Sequence, residues 1–349
     1  MSYTGGKRQS SLISRRRVIQ KGIALTGTVG ISGLSSPAVA QSTKTQLRIG
    51  LITPPPHQWN RTADLVSEDL KSATNGDIEL VQFPSGQLGS ESQMLQLLQI
   101  GAIDFAFLTT SEFANRLSGF GAFYTPYIVK TARQSAQLLA GSVSQKILGQ
   151  VSRIGLHGLG FGMAGMRQIV SRQSVTDIDG LRGRKVRVVP DLPLIDFWRL
   201  AHTAPTPIPL SSLYDAFANG QVDAMHIDYE NTLKQKFYTH ARTVVASNHM
   251  IFPMVAVASE RSWAGFSEDT RTLIVEIMQA RLRELRFRYI ELDQTFRSDL
   301  IAADVKVLDV DESFFEGAAG AWETKWSSLT SYVDQLKTEA DALSQDGFG

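Results

Sequence analysis

The 349-residue chain contains no cysteine. Disulfides, thiolate metal sites and a cysteine nucleophile are therefore excluded. There is no His-x-x-x-His pair and no Gly-x-Ser-x-Gly elbow, and the six histidines are scattered. Neither a helix-borne metal site nor a hydrolase nucleophile is signalled, and neither a metal nor a cofactor is expected. Acidic residues are absent before Gln41, where Lys7, Arg8, Arg15, Arg16, Arg17 and Lys21 stand. Past residue 40 nothing approaches eighteen unbroken apolar residues, so that part is read as soluble.

The basic start reads as an address. A glycine-interrupted apolar stretch runs from Gly22 to Leu34, and Pro37-Ala38-Val39-Ala40 has the small-x-small pattern of a cleavage site. Ser14-Arg15-Arg16-Arg17-Val18-Ile19 resembles a twin-arginine export signal. A general secretory signal stays open, because Val18 and Ile19 occupy the usual aromatic or leucine positions. An uncleaved anchor is the remaining alternative. Six of the 35 basic residues lie in residues 1–40, which leaves 29 against 34 acidic ones. A net charge near −5 does not make a nucleic-acid surface.

Further on, Leu47 to Ile52 reads as a strand stopped by three prolines. Trp59, Ala63, Val66 and Leu70 mark the buried face of a helix that Asn75-Gly76 ends. Ile78 to Phe83 is a second strand, and Ser90 with Gln93 forms a capping box for the next helix. A helix, Gly-x-Ile/Val-Asp and a strand then follow, at Gly101-Ala102-Ile103-Asp104 with a strand over 103–108. The same junction recurs at Gly220-Gln221-Val222-Asp223. Two copies about 120 residues apart point to two α/β units of similar construction. Between them a basic glycine turn, Gly180-Leu181-Arg182-Gly183-Arg184, leads into a strand holding Arg187, and Met254 to Ala258 is a further strand. Gly158-Leu159-Gly160-Phe161-Gly162 lacks the P-loop lysine and is read as a place where chains pass closely. Ser267 to Phe296 is a long helix whose arginines 281, 283, 286 and 288 are expected on a solvated, ion-paired face. The tail from Phe314 to Leu343 reads as helical, with Trp322, Trp326 and Leu329 at packing intervals.

An ordered set of segments carries a family likeness. Thr74-Asn75-Gly76-Asp77-Ile78-Glu79 precedes Phe83-Pro84-Ser85-Gly86-Gln87-Leu88-Gly89 and Gln99-Ile100-Gly101-Ala102-Ile103-Asp104. Then come Asp179-Gly180-Leu181-Arg182-Gly183-Arg184-Lys185-Val186-Arg187, Pro207-Ile208-Pro209-Leu210-Ser211-Ser212-Leu213-Tyr214, Gly220-Gln221-Val222-Asp223 and Lys236-Phe237-Tyr238. The chain thereby resembles the DctP-type extracytoplasmic solute receptors of tripartite ATP-independent periplasmic (TRAP) transporters. That resemblance implies an α/β, periplasmic-binding-protein-like fold: two α/β domains around a ligand cleft, with hinge strands and a long connecting helix. The expected division is residues 1–40 as export signal, 44–166 and 254–303 as the first domain, and 167–253 as the second. Residues 304–349 form a helical region packing across both. The implied function is capture of a small organic anion, commonly a carboxylate, for a TRAP membrane permease, with no chemistry on the ligand. A monomer in the periplasm is expected. The alternatives are a binding protein of an ABC importer or sensor, or a secreted α/β hydrolase or lyase built on Asp223, His226 and Asp228.

The resemblance places the carboxylate clamp on Arg187 and a second arginine on Arg167. A guanidinium supplies the rigid two-donor fork that a carboxylate needs. His57 and Asn60 after the first strand are candidate donors, with Trp59 as an apolar wall. Phe197 and Trp198 are candidates to cover the ligand's carbons, and Tyr214 and Asp228 complete the set. Ile227 stands where the family often has asparagine, which implies a more apolar wall and leaves the individual acid open.

Overall fold

The computed structural model describes residues 44–345; the export signal expected over residues 1–40 lies outside them. In chain order its strands are β1 (Thr45–Leu51), β2 (Ile78–Phe83), β3 (Phe105–Thr109), β4 (Leu156–Met166), β5 (Gln168–Ser171) and β6 (Lys185–Val188). They continue with β7 (Ala204–Pro207), β8 (Ala224–Ile227), β9 (Thr243–Ala246), β10 (Ile251–Ser259) and β11 (Val307–Asp309). One sheet has the order β2-β1-β3-β10-β4, the other β11-β9-β5-β8-β6-β7. In both, three parallel strands (β2-β1-β3 and β7-β6-β8) are followed by two antiparallel neighbours (β10-β4 and β5-β9). The sheets are thus two copies of one plan, each extended by strands that cross from the other.

The repeated Gly-x-Ile/Val-Asp segment is the joint of that plan. Gly101 and Gly220 close their helices at φ 75° and 72°, where a side chain is disfavoured. The carboxylate of Asp104 accepts the Arg48 N–H of β1 at 2.7 Å, and that of Asp223 accepts the N–H of Lys185, the first residue of β6, at 2.9 Å. Each aspartate also donates its own N–H to the carbonyl of the same residue. It clips two parallel strands together just before their first paired residues, Ile49 with Phe105 and Val186 with Ala224.

Residues 260–306, with the long helix, lead from β10 to β11, and two short crossings join the sheets, at Arg167 between β4 and β5 and at residues 247–250 between β9 and β10. They are bonded to each other: Arg167 N–H donates to the Met250 carbonyl at 2.8 Å, and Gln168 exchanges bonds of 2.6 and 3.1 Å with Asn248. The second crossing ends earlier than the sequence division at 254, since β10 starts at Ile251. The 35-residue helix Glu268–Ala302 lies along β4. It can approach because Gly162 has no Cβ, which would sit 2.8 Å from Leu285 Cδ2. The spacing Gly160-x-Gly162-x-x-Gly165 matches a dinucleotide-binding turn but falls inside a strand, so the glycines serve helix packing.

Of the arginines on the long helix, Arg281 and Arg288 are ion-paired as expected, with Asp69 and Glu284. Arg286 departs from that reading. It is buried and donates to the Phe161 carbonyl at 2.5 Å with no carboxylate partner among the described residues. In the tail, Trp322 and Trp326 are buried and donate to Pro193 and Asp196 on the second-sheet side, whereas Leu329 is exposed. Ahead of the tail, the region from residue 304 is not wholly helical, because β11 adds a strand to the second sheet.

Candidate functional site

The carboxyl ends of the parallel strands from both sheets face one cavity of about 600 Å³. Ile52 and Thr53 follow β1, Thr109 ends β3, Val189 and Pro190 follow β6, and Ile227 ends β8; all line it. Strand carboxyl ends are where open α/β sheets hold ligands. The crossing at Arg167 and the adjoining strands β4 and β10 supply Arg167, Ala164 and Phe252.

Arg187 alternates with Val186 and Val188 on β6, so burying the valines sends its side chain to the other face. Its Nε donates to the Ile208 carbonyl at 2.7 Å, which fixes the plane of the fork. The side chain is buried and lines the cavity, and no carboxylate pairs with it among the described residues. Burial, then the neighbouring Arg167 charge, push its pKa down to about 9. Arg167 lies 3.3 Å above the Phe252 ring and gives Nη1 to Asp228 Oδ2 at 2.6 Å. Its Nε is buried without a partner. Burial lowers the Arg167 pKa, and Asp228 opposes the shift. Where burial keeps the neighbouring Glu91 and Asp191 carboxyls protonated, two buried cations stand against one paired carboxylate, an excess of positive charge for an anion to neutralise.

Acidic side chains lie in and beside the same cavity: Glu91 and Glu112 line it, and Asp191 follows the lining residue Pro190. Glu91 accepts the Thr109 N–H at 2.5 Å and its hydroxyl at 3.0 Å, and burial pushes its pKa up to about 7. Asp191, the N-cap of helix Leu192–Leu200, is likewise raised by burial to about 7. Both acids therefore hold their protons in the folded protein to higher pH than in the unfolded chain. A bound anion beside Glu91 raises its pKa further, so binding takes up protons where Glu91 titrates. Affinity for an acid is then expected to fall as pH rises through about 7, and Glu91→Gln should flatten the profile. Calorimetric titrations between pH 5.5 and 8.5 check this; a slope of the opposite sign in the parent protein would contradict it.

The sequence-based site residues separate into two groups. Arg187, Arg167 and Trp59 converge on the cavity, Trp59 fixed by its Nε1 bond to the Met163 carbonyl at 2.9 Å. The others do not line it. His57 caps helix Gln58–Ala73, its Nδ1 accepting from Trp59 N–H, and its Nε2 lies 3.4 Å from Glu230. Glu230 in turn accepts from Gln58 N–H and the Tyr289 hydroxyl, which ties both sheets to the long helix. Asn60, with its amide oriented to suit its neighbours, donates to the Thr53 and Pro54 carbonyls. Phe197 and Trp198 are core, packed on Phe315 and on His249. Tyr214 is 42% exposed and rests against His240. Asp228 is behind Arg167, and caps helix Tyr229–Lys234 by accepting the Asn231 N–H at 2.7 Å.

Glu91, Asn231 and Phe252 line the cavity and were not singled out in the sequence. Glu91 follows the cap residue Ser90, a position where acidic residues are ordinary, so nothing marked it. Behind Arg167 lies a buried pair, His226 Nδ1 to His249 Nε2 at 2.9 Å. Burial and the Arg167 charge keep both neutral, His226 well below its ordinary value and His249 down to about 3. Among the described residues no cluster of His, Cys, Asp and Glu has the form of a metal site.

The model of bacterial extracellular solute-binding protein family 7, DctP, matches residues 49–329. A solute-binding protein of Roseobacter denitrificans is 24% identical over 94% of this chain and 99% of its own length. Among solved structures, the Advenella mimigardefordensis sugar acid binding protein in complex with galactonate superposes with a TM-score of 0.81. It is 20% identical and covers 86% of this chain and 99% of its own. A Bradyrhizobium TRAP periplasmic solute binding protein in complex with galacturonate gives 0.79, at 24% identity over 84% and 100%. With its two-sheet architecture and its matched span, this chain belongs to the DctP family of bacterial extracellular solute-binding proteins, whose members bind solutes for transport and are not enzymes.

Proposed function

We propose that the chain is exported by its twin-arginine-like leader and acts in the periplasm as a monomeric receptor. It captures a small organic acid and delivers it to a TRAP-type permease. Arg187 carries this reading: a buried cation on a rigid strand, its plane fixed by one backbone bond, with no carboxylate paired to it among the described residues, in a cavity of ligand size. The sugar acids named for the two similar structures support an acid. The lobes that close are residues 44–166 with 251–303, and 167–250, turning on the two short crossings. Each supplies part of the wall, so full desolvation of the ligand needs both.

Native mass spectrometry of protein purified without added ligand tests the reading. The expected result is a bound species, released on unfolding, that carries a carboxylate. A neutral or cationic species in that place would overturn it. Should the protein emerge empty, a thermal-shift screen of carboxylic acids takes over, and stabilisation by none of them would equally overturn it.

A further inference from the structure

The cavity has a chemical bias beyond its charge. Trp59, Ala164, Val189, Ile227 and Phe252 line it beside the arginines, and each is buried carbon surface. Its polar side chains are largely engaged by the protein itself. The Thr53 hydroxyl is 2.6 Å from the Asn60 amide. The Asn115 amide donates to the Pro190 carbonyl at 3.0 Å and accepts the Leu192 N–H at 3.2 Å. The Asn231 nitrogen lies 3.1 and 2.9 Å from the two Asp228 oxygens, and its oxygen accepts from Gln235 at 2.7 Å. The Thr109 hydroxyl is given to Glu91.

A solute with a hydroxyl on every carbon needs a partner for each, and an unpartnered buried hydroxyl is costly. Of the partly exposed lining, Ser90 accepts the Gln93 N–H, and Ser92 and Glu112 are bonded to Arg116. Deeper, beside the carbon wall, the capacity left is in the terminal nitrogens of Arg187, the unpartnered Arg167 Nε and the spare lone pairs of Glu91. Arg187 and Glu91 are near enough to shift each other's protonation. We infer that the ligand is a monocarboxylate with an apolar body, such as an aryl acid, carrying at most one hydroxyl, which is directed at Glu91. The inference rests on the receptor reading above and narrows it away from polyhydroxylated acids.

Calorimetric titration of the full mature protein with phenylacetate, 4-hydroxyphenylacetate, galactonate and succinate tests it. The aryl acids should bind at least about ten-fold more tightly than the other two, since pocket contacts of this kind discriminate by one to two orders of magnitude. Ile227→Asn puts a donor and an acceptor into the carbon wall and should narrow the aryl-to-galactonate ratio. Glu91→Gln should weaken 4-hydroxyphenylacetate more than phenylacetate. If either variant fails to fold by circular dichroism, the ranking in the parent protein decides. Tighter binding of galactonate or succinate overturns the ligand class and leaves the receptor reading standing. Binding by none of the four, together with stabilisation by no carboxylic acid, overturns both.

Discussion

Replacing Arg187 with alanine should weaken acid binding by about 2–5 kcal/mol, or roughly thirty-fold to several thousand-fold. The fork is held before the ligand arrives, with Nε on the Ile208 carbonyl and the side chain buried. A carboxylate entering without it would be buried unpaired. The ligand-free protein should respond differently. Arg187 has no carboxylate partner among the described residues, and its charge is opposed by burial and by Arg167. Removing it relieves that cost, so stability without ligand should be unchanged or higher. Arg187→Lys should restore only part of the affinity, because it keeps the charge and loses the two-donor geometry. Arg184→Ala, exposed in the preceding turn, should bind as the parent does. Calorimetric titration with the acid that stabilises the parent most, beside urea unfolding without ligand, makes the comparison. Parent-like affinity in folded Arg187→Ala would remove the clamp, and a lysine variant binding as tightly as the parent would remove the bidentate argument.

The framework was legible where the chain signals locally. The helix Gln58–Ala73, β2 and the Ser90–Gln93 box were visible because their period or cap pattern is complete within a few residues. The Gly-x-Ile/Val-Asp repeat pointed to two similar units; the structure shows that its aspartates clip parallel strands. What sequence could not show depends on contacts between distant segments. His57 precedes a helix as a donor to ligand would, yet its ring is taken by Trp59 N–H and Glu230 across 173 residues. Phe197 and Trp198 follow the clamp strand, but the tail returns Phe315 onto them and makes them core. Arg286 shares the spacing of its ion-paired neighbours and differs only because β4 passes beneath it. Glu91 looks like any first-turn acid until β3 and β6 bring Thr109 and Arg187 to it.

Asp228→Asn should show the reverse of Arg187→Ala: stability lost, anion binding kept. Asparagine is as good an N-cap as aspartate, so helix Tyr229–Lys234 keeps its cap and only the charge is removed. Arg167 would then be a buried cation left with the Phe252 ring and an amide, close to a second buried cation. Breaking one partner of a buried pair costs about 3–5 kcal/mol, because the other charge stays behind unsolvated. An entering carboxylate meets a more positive site in the variant, so its affinity should hold or rise. The ligand should also raise the variant's unfolding midpoint more than the parent's. Arg167→Met with Asp228→Asn removes both charges and should recover most of the lost stability, since burying neither ion can match burying a pair. Urea unfolding of the parent, both single variants and the double closes the cycle. An Asp228→Asn midpoint equal to the parent's would mean the pair does not hold Arg167. A double variant no more stable than Asp228→Asn would place the loss in the packing around residue 228 and not in the stranded charge.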